Sequence, residues 1–270
     1  MARPDPQQPF RCAVITGAAG GIGRELCRLM VRDGTELVLL DRDAEGLERL
    51  HAELAHQGRI SARVIDIRES EALERMTRDI VGQHPDLDLV VANAGIDHPR
   101  PILSGDWRAL LDHFATNVEA NCVLLAVVLP WMAERGRGHV AATVSLGGLG
   151  GFPYEAGYCA SKAALATFIE SARAELAPRG ITFTSIFPGF IRTPMALNNA
   201  FRIPRMMEPA DAAARIHRAI ARRQPTLYFP ISTYLQILAS KMLPVRLRDA
   251  IARGLMKKDF DAGGGAGQPT

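Results

Sequence analysis

Cysteine is scarce in this chain of 270 residues. The four cysteines, Cys12, Cys27, Cys122 and Cys159, are scattered and form no CxxC pair. This pattern argues against a disulfide scaffold and against a zinc site. Isolated thiols are typical of a reducing compartment, so we expect a cytoplasmic protein that binds no metal.

Neither sign of charge dominates the chain, whose net charge is only +3 at pH 7. A balance this close to neutral argues against nucleic acid as a partner. The distribution is uneven, because residues 200–258 carry 12 basic and three acidic side chains, whereas residues 1–199 carry 20 and 24. The longest uncharged apolar stretch, residues 121–133, contains Pro130 and is shorter than the ~20 residues of a membrane span.

The chain does contain a regular alternation of short apolar runs and longer amphipathic segments, within a composition that is 47% apolar. Short runs rich in Val, Ile and Leu are typical of strands buried on both faces of a parallel sheet. The alternation predicts an α/β fold with one domain and three layers, built on a doubly wound, mostly parallel, Rossmann-like sheet. The predicted strands cover residues 11–16, 36–41, 61–66, 87–92, 139–145, 182–187 and 226–229, and the predicted helices cover residues 22–33, 43–57, 70–83, 106–134 and 155–179.

A glycine-rich turn, Thr16 to Gly23, joins the first predicted strand to the first predicted helix. Gly17, Gly21 and Gly23 let the backbone turn tightly and approach a pyrophosphate, and Ile22 belongs to the same turn. The helix start then receives the negative charge of the phosphates. A plain strand-to-helix turn would use the same glycines, so the turn alone is a weak signal.

Asp41 supports the dinucleotide interpretation because it ends the second predicted strand. An acidic residue there accepts hydrogen bonds from the adenosine ribose and repels a 2′-phosphate, which favours NAD over NADP. Arg42 keeps NADP open as the alternative, because an arginine after this strand can accommodate that phosphate.

Two further strand ends carry candidate cofactor contacts. Asp66 and Ile67 follow the third strand, where Asp66 either accepts from the adenine amino group or caps the next helix. Asn93 and Gly95 follow the fourth strand, where small residues would let the central part of the cofactor pass close to the backbone.

Tyr158 and Lys162 lie at positions i and i+4 of a predicted helix, so their side chains share one face. A phenol is a poor base at neutral pH unless a nearby cation stabilises its anion, and an ammonium group one turn away would do so. Ser145 ends the fifth predicted strand, on the same ligand side of the sheet. The three residues predict an acid–base site.

These marks together resemble the short-chain dehydrogenase/reductase family, in its short single-domain branch. The matching marks are TGxxxGxG at 16–23, NAG at 93–95, Asn117, Ser145, YxxxK at 158–162 and PGxIxT at 188–193. The resemblance covers roughly residues 10–195.

The resemblance implies a role for each matching residue. Tyr158 would exchange a proton with the substrate oxygen, Ser145 would hydrogen-bond that oxygen, and Lys162 would lower the tyrosine pKa and hold the nicotinamide ribose. Asn117 would hold a water that relays protons by way of Lys162. The contacts to the nicotinamide side would come from Pro188, Gly189, Ile191 and Thr193.

The expected substrate is a hydrophobic secondary alcohol or ketone, because the segment after Thr193 is apolar and rich in methionine. This segment, about residues 194–210, is where the family has its substrate lid, and it includes Phe201 and Ile203. The alternatives are an NADP-dependent ketone reductase and a nucleotide-binding regulator without turnover. The resemblance also implies a homodimer or homotetramer, formed through residues 106–134 and 155–179.

Four segments complete the predicted organisation: a flexible leader at 1–9, a dinucleotide-binding catalytic domain at 10–230, a basic amphipathic helical extension at 231–258, and a flexible tail at 259–270. The extension combines an apolar face with interleaved arginines, which is typical of helices that contact an anionic membrane surface. We nevertheless favour the prediction that the extension packs on the body of the protein or in a subunit interface, and membrane contact is the alternative.

Overall fold

The structure is a computed structural model that describes residues 10–197 and 206–256. Within those residues, seven strands form one sheet in which all neighbouring strands are parallel. The strands are β1 (Cys12–Thr16), β2 (Glu36–Asp41), β3 (Ile60–Val64), β4 (Leu87–Ala92), β5 (Gly138–Thr143), β6 (Ile181–Pro188) and β7 (Thr226–Phe229). Their order is β3-β2-β1-β4-β5-β6-β7, so the winding reverses between β1 and β4. The doubly wound, Rossmann-like fold predicted from the sequence is confirmed.

Helices cover both faces of the sheet and give the molecule three layers. They are α1 (Gly21–Arg32), α2 (Ala44–Leu54), α3 (Ser70–Gln83), α4 (Trp107–Phe114), α5 (Ala120–Glu134), α6 (Ala156–Leu176), α7 (Pro194–Leu197), α8 (Pro209–Ala221), α9 (Ile231–Lys241) and α10 (Val245–Met256). Alternate residues of β1 face opposite layers: Ala13 and Ile15 pack with α1, α2 and α8, whereas Cys12 and Val14 pack with α3, α5 and α6. Burial on both faces explains the nearly continuous apolar runs of the strands.

Two helical regions differ from the sequence prediction. Residues 106–134 are not one helix, because a π-helical turn at Ala115–Glu119 separates α4 from α5. Helix α8 was missed altogether, although its Ala212, Ala213 and Ile216 are fully buried against α1 and the sheet. Small alanine side chains give little periodic signal in a sequence, yet they allow two helices to pack closely.

Part of the predicted lid and both predicted flexible ends lie outside the described residues. Residues 198–205, including Phe201 and Ile203, are not described, and neither are residues 1–9 and 257–270. Met207, in the described part of the lid segment, pairs with Ile191 in an isolated parallel bridge.

One helical stretch of the described chain, Trp107–Glu134, is long and apolar enough to cross a membrane by length and composition alone. Core helices of globular proteins pass the same test. Here the inner face of α5, with Leu124, Leu125, Val128 and Met132, is buried against the sheet.

Candidate active site

A cavity of about 1440 Å³ runs along the carboxyl ends of the strands. It brings together most of the residues singled out in the sequence: Gly17, Gly21, Ile22, Asp41, Asp66, Ile67, Asn93, Gly95, Ser145, Tyr158, Lys162, Pro188, Gly189, Ile191 and Thr193. Gly23 and Asn117 do not line it. The cavity lies where the winding of the sheet reverses, which is the usual ligand site of such folds.

The glycine-rich turn leaves the amino end of α1 open toward the cavity. Gly20 precedes the helix without a side-chain cap, and the first turn carries no acidic residue. The uncapped N–H groups and the helix dipole therefore fit the pyrophosphate of a dinucleotide. Gly23 serves packing instead, because a Cβ there would collide with the carbonyl oxygen of Gly17.

Close packing also requires Gly21. A Cβ at this position would lie 2.7 Å from Cγ2 of Thr193, a distance that forces one of the two to move. The residue links the loop after β1 to the loop after β6, so both walls of the cavity meet there.

The carboxylate of Asp41 is held at the end of β2 by two backbone N–H groups. Ala19 N donates to its Oδ2 at 2.9 Å, and Asp43 N donates to its Oδ1 at 3.0 Å. Two arginines line the cavity in the same region: the exposed Arg42, and Arg24, which donates to Ala19 O at 2.9 Å. Arg24 was not singled out in the sequence.

Asp66 is already engaged by a neighbour in the chain. The Arg68 Nη2 donates to its Oδ2 at 2.6 Å, and this pairing holds the pKa of Asp66 below its usual range. Asp66 therefore stays a carboxylate that can accept further donors from a ligand. Its side chain also accepts from Arg68 N rather than capping α3.

Asn93 joins three strand ends beneath the cavity. Its Nδ2 donates to the carbonyl oxygens of Thr16 and Gly17, both at 3.2 Å, and its Oδ1 accepts from Thr143 Oγ1 at 3.2 Å. These bonds fix the ends of β1, β4 and β5 relative to one another.

Asn117 lies in the π-helical turn between α4 and α5 and is fully buried. Its Oδ1 accepts from Ile96 N at 2.9 Å, while its Nδ2 donates to Ile96 O and to Ser161 Oγ. Both amide hydrogens are thus committed to joining the loop after β4 to α6. That Asn117 holds a proton-relaying water stays a prediction, and only its oxygens have capacity left for such a water.

Ser145, Tyr158 and Lys162 all line the cavity, where Ser145 and Lys162 are buried and Tyr158 is partly buried. Ser145 Oγ accepts from Gly147 N at 2.9 Å, which leaves its hydroxyl hydrogen free to donate. Lys162 Nζ donates to Thr143 O at 2.9 Å and lies 6.0 Å from the centre of the Tyr158 ring. Burial lowers the pKa of Lys162 to about 8, and the carboxylate of Asp97 opposes this effect.

The sequence predicts that Lys162 lowers the pKa of Tyr158, but in the structure this pKa is raised. Burial raises the pKa of Tyr158 above its usual value, the charge of Asp97 adds to the rise, and a hydrogen bond from Ser145 opposes it. Tyr158 is therefore a protonated phenol at neutral pH, ready to donate a proton.

Two carboxyl groups of the cavity were missed by the sequence analysis. Asp97 lies two residues beyond Gly95, and Glu155 lies one helical turn before Tyr158. The spacing of Glu155 from Tyr158 was a usable signal, because residues three apart share a helix face. Nothing in the sequence connects Asp97 to Glu155.

A cluster outside the cavity also brings metal-ligand types together. One ligand atom each from Cys12, Glu36 and His84 lie within 4.8 Å of one another. His84 Nδ1 is bonded to Glu36 at 2.8 Å, and burial raises the pKa of the Cys12 thiol to about 12. His84 and Glu36 are thus bonded to each other, and the Cys12 thiol stays protonated.

Comparison with known proteins supports the same reading of the fold and site. The sequence pattern of short chain dehydrogenases matches residues 11–201. An uncharacterized oxidoreductase of Myxococcus xanthus is 34% identical over 250 residues, which are 92% of this chain and 99% of that protein. Human 17-beta-hydroxysteroid dehydrogenase 13 is 28% identical over 92% of this chain and 84% of its own length. The crystal structure of a short-chain dehydrogenase from Streptomyces avermitilis is 26% identical, covers 90% of this chain and 98% of its own, and matches with a TM-score of 0.77.

Proposed function

The chain belongs to the short-chain dehydrogenase family of oxidoreductases, and on that basis we propose that it transfers a hydride between a nicotinamide cofactor and a secondary alcohol or ketone. The observation that carries this proposal is the convergence of Ser145, Tyr158 and Lys162 in the cavity that also contains the open amino end of α1. A nucleotide-binding regulator without turnover does not require the Tyr158 hydroxyl beside the buried Lys162.

The proposed division of labour follows from the hydrogen bonds of each residue. The nicotinamide, when bound, supplies or accepts the hydride. Tyr158 donates its phenolic proton to the carbonyl oxygen of a ketone, and Ser145 stabilises the charge on that oxygen by donating its one hydroxyl hydrogen, which bonds Tyr158 when no substrate is present. Lys162 is held by Thr143 and has two further N–H donors for the cofactor ribose and the tyrosine anion.

We propose NAD as the preferred cofactor, with Asp41 as the selecting residue. Its carboxylate is fixed by Ala19 N and Asp43 N, so it cannot move away from an incoming 2′-phosphate. NADP is the alternative, because Arg24 and Arg42 line the same part of the cavity and could offset the charge of Asp41.

We further propose that the substrate is largely apolar. The walls beyond Tyr158 include Leu146, Phe152, Phe190 and Ile237. The human relative is named a hydroxysteroid dehydrogenase, and hydroxysteroids are apolar secondary alcohols.

A screen of ketones and secondary alcohols with each cofactor tests the proposed function. Ketone-dependent loss of the nicotinamide absorbance is expected, with a higher kcat/KM for NADH than for NADPH. Turnover with neither cofactor on any compound, despite cofactor binding, would favour the regulator. Turnover with NADPH in preference to NADH would favour the alternative cofactor.

Two exposed apolar surfaces suggest larger partners. On α4 and the segment before it, Leu103, Trp107 and Leu111 are exposed, which supports a homodimer or homotetramer through this region. The second surface lies on the C-terminal helices α9 and α10, where Leu235, Met242 and Leu247 are exposed. We also propose a cytoplasmic location, since all four cysteines are free thiols.

For the second surface we propose an anionic membrane as the partner. The basic residues Lys241, Arg246, Arg248 and Arg253 accompany the exposed apolar side chains, against a single acidic residue, Asp249. Helix α9 does pack partly on the body of the protein through Tyr234 and Ile237. The opposite faces stay uncovered, and both helices line the mouth of the cavity.

A further inference from the structure

Asp97 and Glu155 bring a second polar centre to the cavity, outside the family's catalytic residues. Asp97 lies in the loop after β4, and Glu155 immediately precedes α6. Both line the cavity together with Tyr158. Glu155 lies three residues before Tyr158 in the chain, and the charge of Asp97 contributes to the raised pKa of Tyr158.

The two carboxyl groups share a proton. Glu155 is only 7% exposed, and its Oε2 and the Oδ1 of Asp97 are buried without a partner among the described residues if both groups are charged. Two adjacent buried carboxylates repel each other, so one of them retains its proton. Burial, together with the hydrogen bond and the charge of Asp97, raises the pKa of Glu155 to about 9. Glu155 therefore keeps its proton at neutral pH and donates it to Asp97.

The surrounding backbone holds the pair in position. Arg100 N donates to Tyr154 O at 2.8 Å, which ties the loop carrying Asp97 to the residue before Glu155. Tyr154 has a φ of 68°, an unfavourable conformation for a residue with a side chain. Glu155 itself occupies the N-cap position of α6 but does not cap the helix. The fold thus directs this carboxyl group toward the cavity rather than toward its own helix.

The charges facing the pair decide what kind of ligand group it can bind. Lys162 carries a positive charge that balances Asp97. Burial lowers the pKa of His113, whose Nε2 accepts from His98 N, so this ring is neutral. Tyr158 is protonated, and burial keeps the thiol of Cys159 protonated as well. Because Glu155, Tyr158 and Cys159 keep their protons at neutral pH, they offer hydrogen bonds rather than charges to a ligand.

We propose that the Asp97–Glu155 pair is a substrate-recognition point that binds a second hydroxyl group of the substrate, which is therefore an apolar ketone or secondary alcohol that carries a further hydroxyl. This inference rests on the proposed hydride-transfer function and names its substrate class. The shared proton satisfies Asp97 Oδ1 and Glu155 Oε2, the two oxygens that are buried without another partner among the described residues, and it leaves Asp97 Oδ2 and Glu155 Oε1 as acceptors for a ligand. These oxygens accept from a hydroxyl, whereas a methyl group in the same place would leave them unpaired.

Matched pairs of small ketones test the proposal. We would compare 3- and 4-hydroxycyclohexanone with 3- and 4-methylcyclohexanone, since a methyl and a hydroxyl group differ little in size. The wild-type protein is expected to prefer at least one hydroxylated ketone by about tenfold or more in kcat/KM. Glu155→Met should remove this preference, so that kcat/KM becomes nearly equal for the hydroxyl and the methyl ketones. Glu155→Gln keeps both a donor and an acceptor and should retain the preference.

A control and a binding measurement separate the possible failures. Glu175→Met makes the same substitution at an exposed position of α6. It should change neither the binding preference nor the kcat/KM preference for hydroxyl over methyl ketones. Calorimetric binding of each ketone to the Tyr158→Phe variant in the presence of NAD⁺, with the transferable proton removed, reports recognition with turnover suppressed. Equal binding and equal kcat/KM for hydroxyl and methyl ketones would overturn the inference. Preferential binding of the hydroxyl ketones without turnover with reduced cofactor would overturn the proposed function and leave the recognition point standing.

Discussion

Tyr158 is subject to opposing influences on its proton. Burial and the charge of Asp97 favour the phenol, whereas the Ser145 hydroxyl favours the anion. The phenol therefore predominates at neutral pH, and the residue is prepared to act as an acid on a ketone. Lys162, with a pKa of about 8, is an adjacent group whose charge changes near neutrality.

Tyr158→Phe should lower turnover by about two orders of magnitude or more, because the ring stays while the transferable proton is lost. Cofactor binding should persist, as measured by fluorescence titration. Tyr228→Phe is the matched control, since Tyr228 stacks on Tyr234 outside the cavity and should leave turnover unchanged. Near-native turnover in the Tyr158 variant would rule out its assignment as the acid.

Asp41→Ala should weaken the binding of NAD and strengthen that of NADP. The substitution removes both the acceptor for the ribose hydroxyls and the charge that repels a 2′-phosphate, while Arg24 and Arg42 remain. Dissociation constants for both cofactors, measured on the same preparation, check this expectation. Glu48→Ala, at an exposed position of α2 outside the cavity, is the control for the loss of one negative charge. The assignment fails if the wild-type protein already binds NADPH more tightly than NADH.

At the scale of the elements, the π-helical turn and helices α9 and α10 place residues beside the cavity. The π-helical turn between α4 and α5 places Asn117 where its amide can bond both Ile96 and Ser161. Helices α9 and α10 line the cavity mouth with one face and expose apolar side chains on another. An entrance beside a membrane-bound surface would suit an apolar substrate.

Binding of α9 and α10 to a membrane predicts flotation with anionic vesicles at low salt and release at high salt, because each basic side chain near such a surface contributes on the order of 1 kcal/mol. Neutral vesicles should not bind the protein. Replacing Arg246 and Arg253 by Gln should abolish flotation without loss of turnover, since neither residue lines the cavity.

The control for this experiment removes the same charge elsewhere. Arg75→Gln with Arg78→Gln changes two exposed residues of α3 and should leave flotation intact. If the wild-type protein ignores anionic vesicles and the Arg246 and Arg253 variant instead changes the oligomeric state, a second copy of the chain covers these helices.

At the scale of the whole molecule, a buried histidine in the central sheet couples folding to pH. His139 in β5 is bonded to Thr182 and Thr184, and burial lowers its pKa to about 3 from the usual 6.5. Below pH 6.5, His139 becomes protonated in the unfolded chain but stays neutral in the folded protein. The free energy of unfolding contributed by His139 therefore falls as the pH is lowered from about 6.5 toward 3.

His139→Gln should reduce the slope of unfolding free energy against pH by up to about 1.4 kcal/mol per pH unit between pH 6 and 4. Denaturant unfolding at several pH values gives both slopes, and comparison with the wild type cancels the contributions of the other groups. His56→Gln, at an exposed position, is the control and should keep the wild-type slope. Identical slopes for the His139 variant and the wild type would contradict this role.

The sequence by itself determined the sheet and most of the cofactor cavity. Buried parallel strands need apolar residues on both faces, so each strand was visible in the sequence as a continuous apolar run. Gly17 marked the turn before α1, and Asp41 marked the end of β2. Parallel strands all end at one edge, so residues at their carboxyl ends had to converge there. Helix periodicity alone related Tyr158 to Lys162.

Only the tertiary structure decided the features that depend on contacts between distant segments. Asp97 and Glu155 form a pair because the loop after β4 meets the start of α6. No spacing or motif in the sequence predicts this contact. The burial of α8 depends on how closely its alanines meet α1. The direction of the Tyr158 pKa was likewise decided by folding, because burial and Asp97 act only after the chain has closed around the phenol.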